Sequence, residues 1–202
     1  MQTRPYEKKE GKRIWLNREE QDQLLSGIQD QPRLRIALQL GLHGLRTDEI
    51  VRVEPGHLRD IETRQDGTEK FVLEIPKGKT GAREVPIDAD LKERINYLKA
   101  ADQDLGKHDP IIDVSKRTLR NWIGNARDEL DGDYSKLGMH DLRRTWATDT
   151  YYSLAFEGVP IAEELVMSWG GWKMTATGRE TFRENYLGPV PDHVTAQALE
   201  TL

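Results

Sequence analysis

The chain has no cysteine. That removes disulfides, thiolate-bound metals and cysteine nucleophiles together, without fixing the compartment. No apolar run approaches the roughly 20 residues that a membrane-spanning helix needs. The first residues, Met-Gln-Thr-Arg-Pro-Tyr-Glu-Lys-Lys, lack the apolar stretch of a secretion signal. A membrane partner is not expected, and a cytoplasmic, soluble chain is the default reading. A carboxylate-rich metal cluster is also missing from the pattern.

An excess of positive charge is the next thing lacking. Lys and Arg number 30 against 35 Asp and Glu, a formal net charge of -5. Binding to phosphates rests mostly on Lys and Arg releasing counterions. An acidic chain reaches a polyanion only if its basic residues gather on one face and its acids elsewhere. At 202 residues the chain is long enough to bury one core of ordinary size.

Residues 1–13 are polar and aperiodic and read as a flexible arm, with a single domain over 14–202. Asn17, with Glu20 three residues on, has capping-box spacing and opens a helix through Glu19 to Ile28. Leu34, Ile36, Leu38, Leu40 and Leu42 belong to an apolar helix that enters Gly44-Leu45-Arg46, with a short helix from Thr47 or Asp48. Short strands follow at 58–63, 70–75 and 83–87, turned at Asp66-Gly67 and at Gly78 to Gly81. The remainder reads helical over about 88–101, 115–130, 140–156, 160–168, 178–186 and 192–201. Asp88, Ser115, Pro160 and Asp192 are the start signals. The expected class is mainly α (α+β), with a small three-stranded antiparallel sheet.

Scattered over this frame is a set of basic residues that ends in a tyrosine. Arg46 lies in Gly-Leu-Arg-Thr-Asp-Glu-Ile50, and Lys79 in Lys77-Gly-Lys-Thr-Gly81. His140 and Arg143 share His-Asp-Leu-Arg-Arg-Thr145, Trp172 closes Trp169-Gly-Gly-Trp, and Tyr186 follows in Phe182-Arg-Glu-Asn-Tyr. Two arginines, a lysine and a histidine suit one phosphodiester and the charge that builds on it in a transition state. A tyrosine hydroxyl is a plausible nucleophile for it. His140 and Arg143, three apart on a helix, project from one face.

The order and context of these boxes resemble the catalytic domain of the tyrosine recombinases, the phage-integrase family, from about Ile14 to Leu187. The most specific stretch is His140-Asp-Leu-Arg-Arg-Thr-Trp-Ala-Thr148; Arg83-Glu-Val-Pro-Ile87 resembles the strand after the family's lysine turn. The resemblance implies site-specific cutting and rejoining of double-stranded DNA through a 3′-phosphotyrosyl intermediate, without cofactor or metal, in agreement with the missing carboxylate cluster. It makes Arg46 and Arg143 phosphate clamps, His140 their partner, and Lys79 the general acid, with Lys77 as the competing lysine. Trp172 takes the place of a second histidine, where its indole N–H can donate to a phosphate oxygen but cannot shuttle a proton; a packing role is the competing reading. Tyr186 is the implied nucleophile. Glu49 orients Arg46 or the local backbone, Arg144 points to solvent or a backbone, and Trp15, Trp122, Trp146 and Trp169 are packing residues.

The resemblance also implies self-association on DNA, with the C-terminal helix docked on a neighbouring subunit, and nucleoid localisation. Val194, Ala198 and Leu202 form one apolar stripe on that helix. Two departures stand out. The DNA-clamping domain that precedes this one in the family is not expected here, which invites an N-terminal-domain or accessory protein partner. Residues 173–178 lengthen the gap from Trp172 to Tyr186, leaving open whether Tyr186 serves its own site or a neighbour's. The rival readings are a non-catalytic DNA-binding regulator on the same fold and a type IB topoisomerase-like strand transferase.

Overall fold

The computed structural model describes residues 2–6, 10–61, 69–128, 130 and 132–201. Its strands are β1 (Gln2–Pro5), β2 (Lys12–Trp15), β3 (Leu58–Ile61), β4 (Lys70–Gly78) and β5 (Gly81–Ile87). Its helices are α1 (Arg18–Ser26), α2 (Pro32–Leu42), α3 (Thr47–Ile50), α4 (Ala89–Ala101), α5 (Lys116–Arg127), α6 (Met139–Phe156), α7 (Ala162–Gly170), α8 (Ala176–Asn185) and α9 (Asp192–Glu200).

The helix starts follow local chemistry. Asn17 accepts from the Glu20 N–H while the Glu20 carboxylate takes the Asn17 N–H, a reciprocal capping box. Asp88, Ser115 and Thr175 cap α4, α5 and α8 with the side-chain acceptor alone. α7 starts at Ala162 rather than at Pro160, which sits just outside the helix before its cap, Ile161.

α6 is the central helix. It lies against α2, α7, α9 and β2, and Met139, Leu142, Trp146 and Ala147 are buried along it. β3, β4 and β5 form the expected antiparallel sheet in that order. Leu73 pairs with Leu58 on one side and Val85 on the other. The turn expected at Asp66-Gly67 lies outside the described residues. Gly78 pairs with Gly81, so Lys79 and Thr80 are the two turn residues between β4 and β5.

The N-terminal reading needs correction. Residues 2–5 are not a free arm but a strand, paired antiparallel with 12–15. What holds this hairpin is tertiary. The Ile14 N–H donates to Asp141 and the Leu16 N–H to Thr145, both on α6. Arg4 lies over the Trp15 ring and Arg13 over Tyr6. Three polar residues and a proline, without alternation, carry no local signal for such a strand. α9 rests on α6 of its own chain, with Val194 buried and Leu199 exposed; Leu202 lies outside the described residues.

Candidate active site

Arg46 is the N-cap residue of α3, and the second carboxylate of the helix, Glu49, turns back onto it. The Arg46 N–H and Nη1 donate to Glu49 at 2.7 and 2.9 Å, and Nη2 donates to the Gly171 carbonyl at 2.7 Å. The Glu49 side chain is fully buried. A second guanidinium, Arg83 from β5, meets the same carboxylate through both Nη atoms at 2.7 Å each and gives Nε to the Trp169 carbonyl. Burial alone would push the Glu49 carboxyl up. The hydrogen bonds and charge of Arg83, then of Arg46, more than offset this and hold it at about 2.

Arg143 rises from α6 into the floor of this cluster and is fully buried. It donates Nη1 to the Gly44 carbonyl and Nη2 to the Gly170 carbonyl, while its buried Nε has no hydrogen-bond partner. Burial, joined by repulsion from Arg46, pushes its pKa down to about 9, still high enough to keep it cationic at neutral pH. Gly171, at φ +68°, ends α7 in the left-handed region that favours glycine. That turn aims the carbonyls of Gly170 and Gly171 at the two arginines.

Aromatic rings close the other side. The Arg143 guanidinium lies 4.1 Å from the Trp172 ring centre and 5.5 Å from that of Tyr186. Trp172 stacks against Trp146 and meets Phe182 and Tyr186 edge-on, so it is both a packing residue and a wall of the site. Its face, rather than its N–H, meets Arg143. His140 is exposed one turn before Arg143, its ring 5.1 Å from that of Tyr186.

Tyr186 ends α8, a helix anchored by one buried side chain, Phe182. On its outer face Arg179 and Arg183 grip Glu163 of α7 at 2.6 to 3.0 Å. The main chain around the tyrosine is held more firmly. The Tyr186 carbonyl accepts from Trp15 Nε1 and from Thr148 Oγ1, both at 3.0 Å. Arg144 gives Nε to the Asn185 carbonyl and Nη1 to Asp141, and is buried rather than turned to solvent. Arg13 reaches the Asn185 side chain at 2.8 Å.

The structure therefore gathers Arg46, His140, Arg143, Trp172 and Tyr186 within one chain. Lys79 stands exposed at the β4–β5 turn, beside Thr80, whose hydroxyl bonds the same Gly171 carbonyl that Arg46 uses. Lys77, also exposed, lines a cavity with Glu49, Arg52, Glu54, His57 and Pro110. Arg83 and Thr148 had no assigned role in the sequence, and Trp15 was read as packing alone. Their signal is spatial, since their partners lie 34 to 171 residues away. Among the described residues no group of His, Asp or Glu is placed to hold a metal ion. Three guanidiniums around one carboxylate leave the site net positive, a place for an anion beside a phenol.

The fold is that of the tyrosine-recombinase catalytic domain. It superposes on the XerA recombinase with a TM-score of 0.63 at 15% identity, over 93% of this chain and 65% of that one. The XerH site-specific recombinase bound to its palindromic difH substrate, a post-cleavage complex, gives 0.64 at 17% identity, over 93% and 53%. A lambda integrase tetramer bound to a Holliday junction gives 0.55 at 20%, over 84% and 49%. The chain thus spans about half to two thirds of the length of these structures. No family model and no curated protein matches the chain.

Proposed function

We propose that this chain is the strand-transfer domain of a site-specific DNA recombinase, with Tyr186 as the nucleophile acting in its own subunit's site. The Tyr186 oxygen attacks a backbone phosphorus of duplex DNA and forms a 3′-phosphotyrosyl bond. The bond to the 5′-oxygen breaks, and that oxygen takes a proton from Lys79 while the phenol gives its own proton to water. Arg46, Arg143 and His140 hold the non-bridging oxygens as charge builds on them. Attack by the freed 5′-hydroxyl of a partner strand reverses the chemistry and restores the phenol. Self-association on DNA, in the nucleoid, supplies that partner strand.

The observation that carries this reading is the contact of the Tyr186 ring with both Arg143 and His140, at 5.5 and 5.1 Å. A second reading, a DNA-binding regulator on the same fold, is favoured by Arg143 spending both Nη atoms on main-chain carbonyls. Covalent trapping on nicked duplexes separates the two. The expected result is a denaturant-resistant protein–DNA adduct that is lost in Tyr186→Phe while gel shifts still show binding. Duplex bound but never linked by the wild-type chain would establish the regulator instead.

A further inference from the structure

We infer that Arg83 is a positioning residue of this site: it is the standing counter-ion of Glu49, which frees Arg46 to serve a phosphate. The inference rests on the function proposed above. Each Glu49 oxygen takes two hydrogen bonds, one from Arg83 and one from Arg46 or its backbone N–H. The two arginines are not equivalent. Arg83 is 5% exposed and its Nε and both Nη atoms all bond within the protein. Arg46 is 17% exposed and reaches the carboxylate through one Nη alone. A buried carboxylate left without a partner is costly, more so than a solvated one. With Arg83 in place, Glu49 keeps a bidentate partner whatever Arg46 does.

The hairpin is built around this contact. A Cβ on Gly78 would lie 2.7 Å from both Arg83 Nη1 and the Gly81 carbonyl, so glycine beside the lysine turn leaves room for the guanidinium as well as for the turn itself. Arg83 also bonds the Trp169 carbonyl, two residues before the Gly171 carbonyl that orients Arg46. One side chain therefore ties the lysine hairpin, the end of α7 and the first arginine together. Without it, Glu49 claims Arg46 for itself.

The test compares Arg83→Gln and Glu49→Gln/Arg83→Gln with the wild-type chain. Covalent capture by Arg83→Gln is expected to fall ~30-fold or more with duplex binding changed less than ~3-fold, and the double variant to regain at least ~10-fold of the loss. The single variant's defect should also shrink from about pH 8 to about pH 5.5, because a Glu49 deprived of Arg83 protonates more readily and releases Arg46. A double variant as slow as the single, or a single variant as fast as wild type, overturns the inference. Should Arg83→Gln fail to fold, the double variant decides against wild type: capture within about tenfold supports the inference and none overturns it. If the wild-type chain forms no adduct, the proposed function falls. Inorganic phosphate binding, followed by arginine side-chain NMR, then decides for Arg83. Affinity lost in the single variant and recovered in the double upholds it; equal affinity in all three sinks it.

Discussion

Glu49 and Asp149 are both acids drawn away from water, and the chain treats them in opposite ways. Glu49 is ringed by Arg83 and Arg46, and its carboxyl is held at about 2. Asp149, on α6, borders a cavity of about 550 Å³ with Arg18, Gln39 and Trp146. Its bonded partner is the neutral amide of Gln21, at 3.0 Å, and burial pushes its pKa up to about 6. One acid is over-neutralised by cations and the other under-neutralised. The difference is that of a site and a scaffold. On the function proposed above, the cations beyond those Glu49 needs are there to hold a phosphate.

Removing the Glu49 charge should break this contrast most severely. Glu49→Gln leaves Arg46, Arg83 and Arg143 facing one another, and the loss is expected to be ~3–5 kcal/mol in urea denaturation. Added inorganic phosphate should raise the melting temperature of this variant more than that of the wild type, by replacing the missing anion. The pH dependence has a definite sign. A folded pKa of about 2 against an ordinary value of 4.5 means stability that is present above pH 4.5 and lost as pH falls toward 2. That stretch is worth ~3 kcal/mol. Acid titration of Glu49→Gln should therefore be flatter than that of wild type over this window. A parallel pair of curves would mean Glu49 is not held down.

Asp149 should sharpen the contrast from the other side. Its folded pKa is raised to about 6 from 3.8, so its contribution is fully present below pH 3.8 and is lost as pH rises through 6. Asp149→Asn is then expected to stabilise the chain at pH 7.5 by ~3 kcal/mol and to change nothing near pH 3.5. Gln21 keeps a partner, since the new amide still offers an oxygen. Denaturation midpoints at the two pH values decide it, and equal gains at both would show that the carboxyl is not desolvated.

These environments were unequally legible in the sequence. The caps at Asn17, Asp88 and Ser115 were readable because capping is local, settled within four residues. The order Arg46, His140, Arg143, Trp172, Tyr186 was readable because each sits in a short box, His140 and Arg143 sharing one. Arg83 was read only as part of a strand, since nothing near it in sequence reveals Glu49, 34 residues earlier. The β1 strand was invisible for the same reason, being paired with β2, which α6 holds in turn. The start of α8 was placed late because Thr175 to Gly178 read as an insertion, whereas Thr175 caps the helix and receives the Gly178 N–H. Where a residue's work is done at long range, local pattern is silent.

Trp15 joins the two regions and gives the smallest effect. Its indole N–H holds the Tyr186 carbonyl, while its ring borders a cavity it shares with Asp149 and Thr148. Trp15→Phe keeps most of the ring and deletes the donor; Thr148 Oγ1 still bonds the same carbonyl. The expected loss of stability is ~1 kcal/mol, that of one hydrogen bond beside a packed ring. Covalent capture should drop a few-fold with duplex binding unchanged, because the tyrosine's main chain loses one of two tethers. Combined with Asp149→Asn, the stability changes should add to within ~0.5 kcal/mol if the scaffold acid and the tyrosine strap are separate devices. A larger interaction energy would mean that the acid tunes the strap, and that the scaffold reaches into the site.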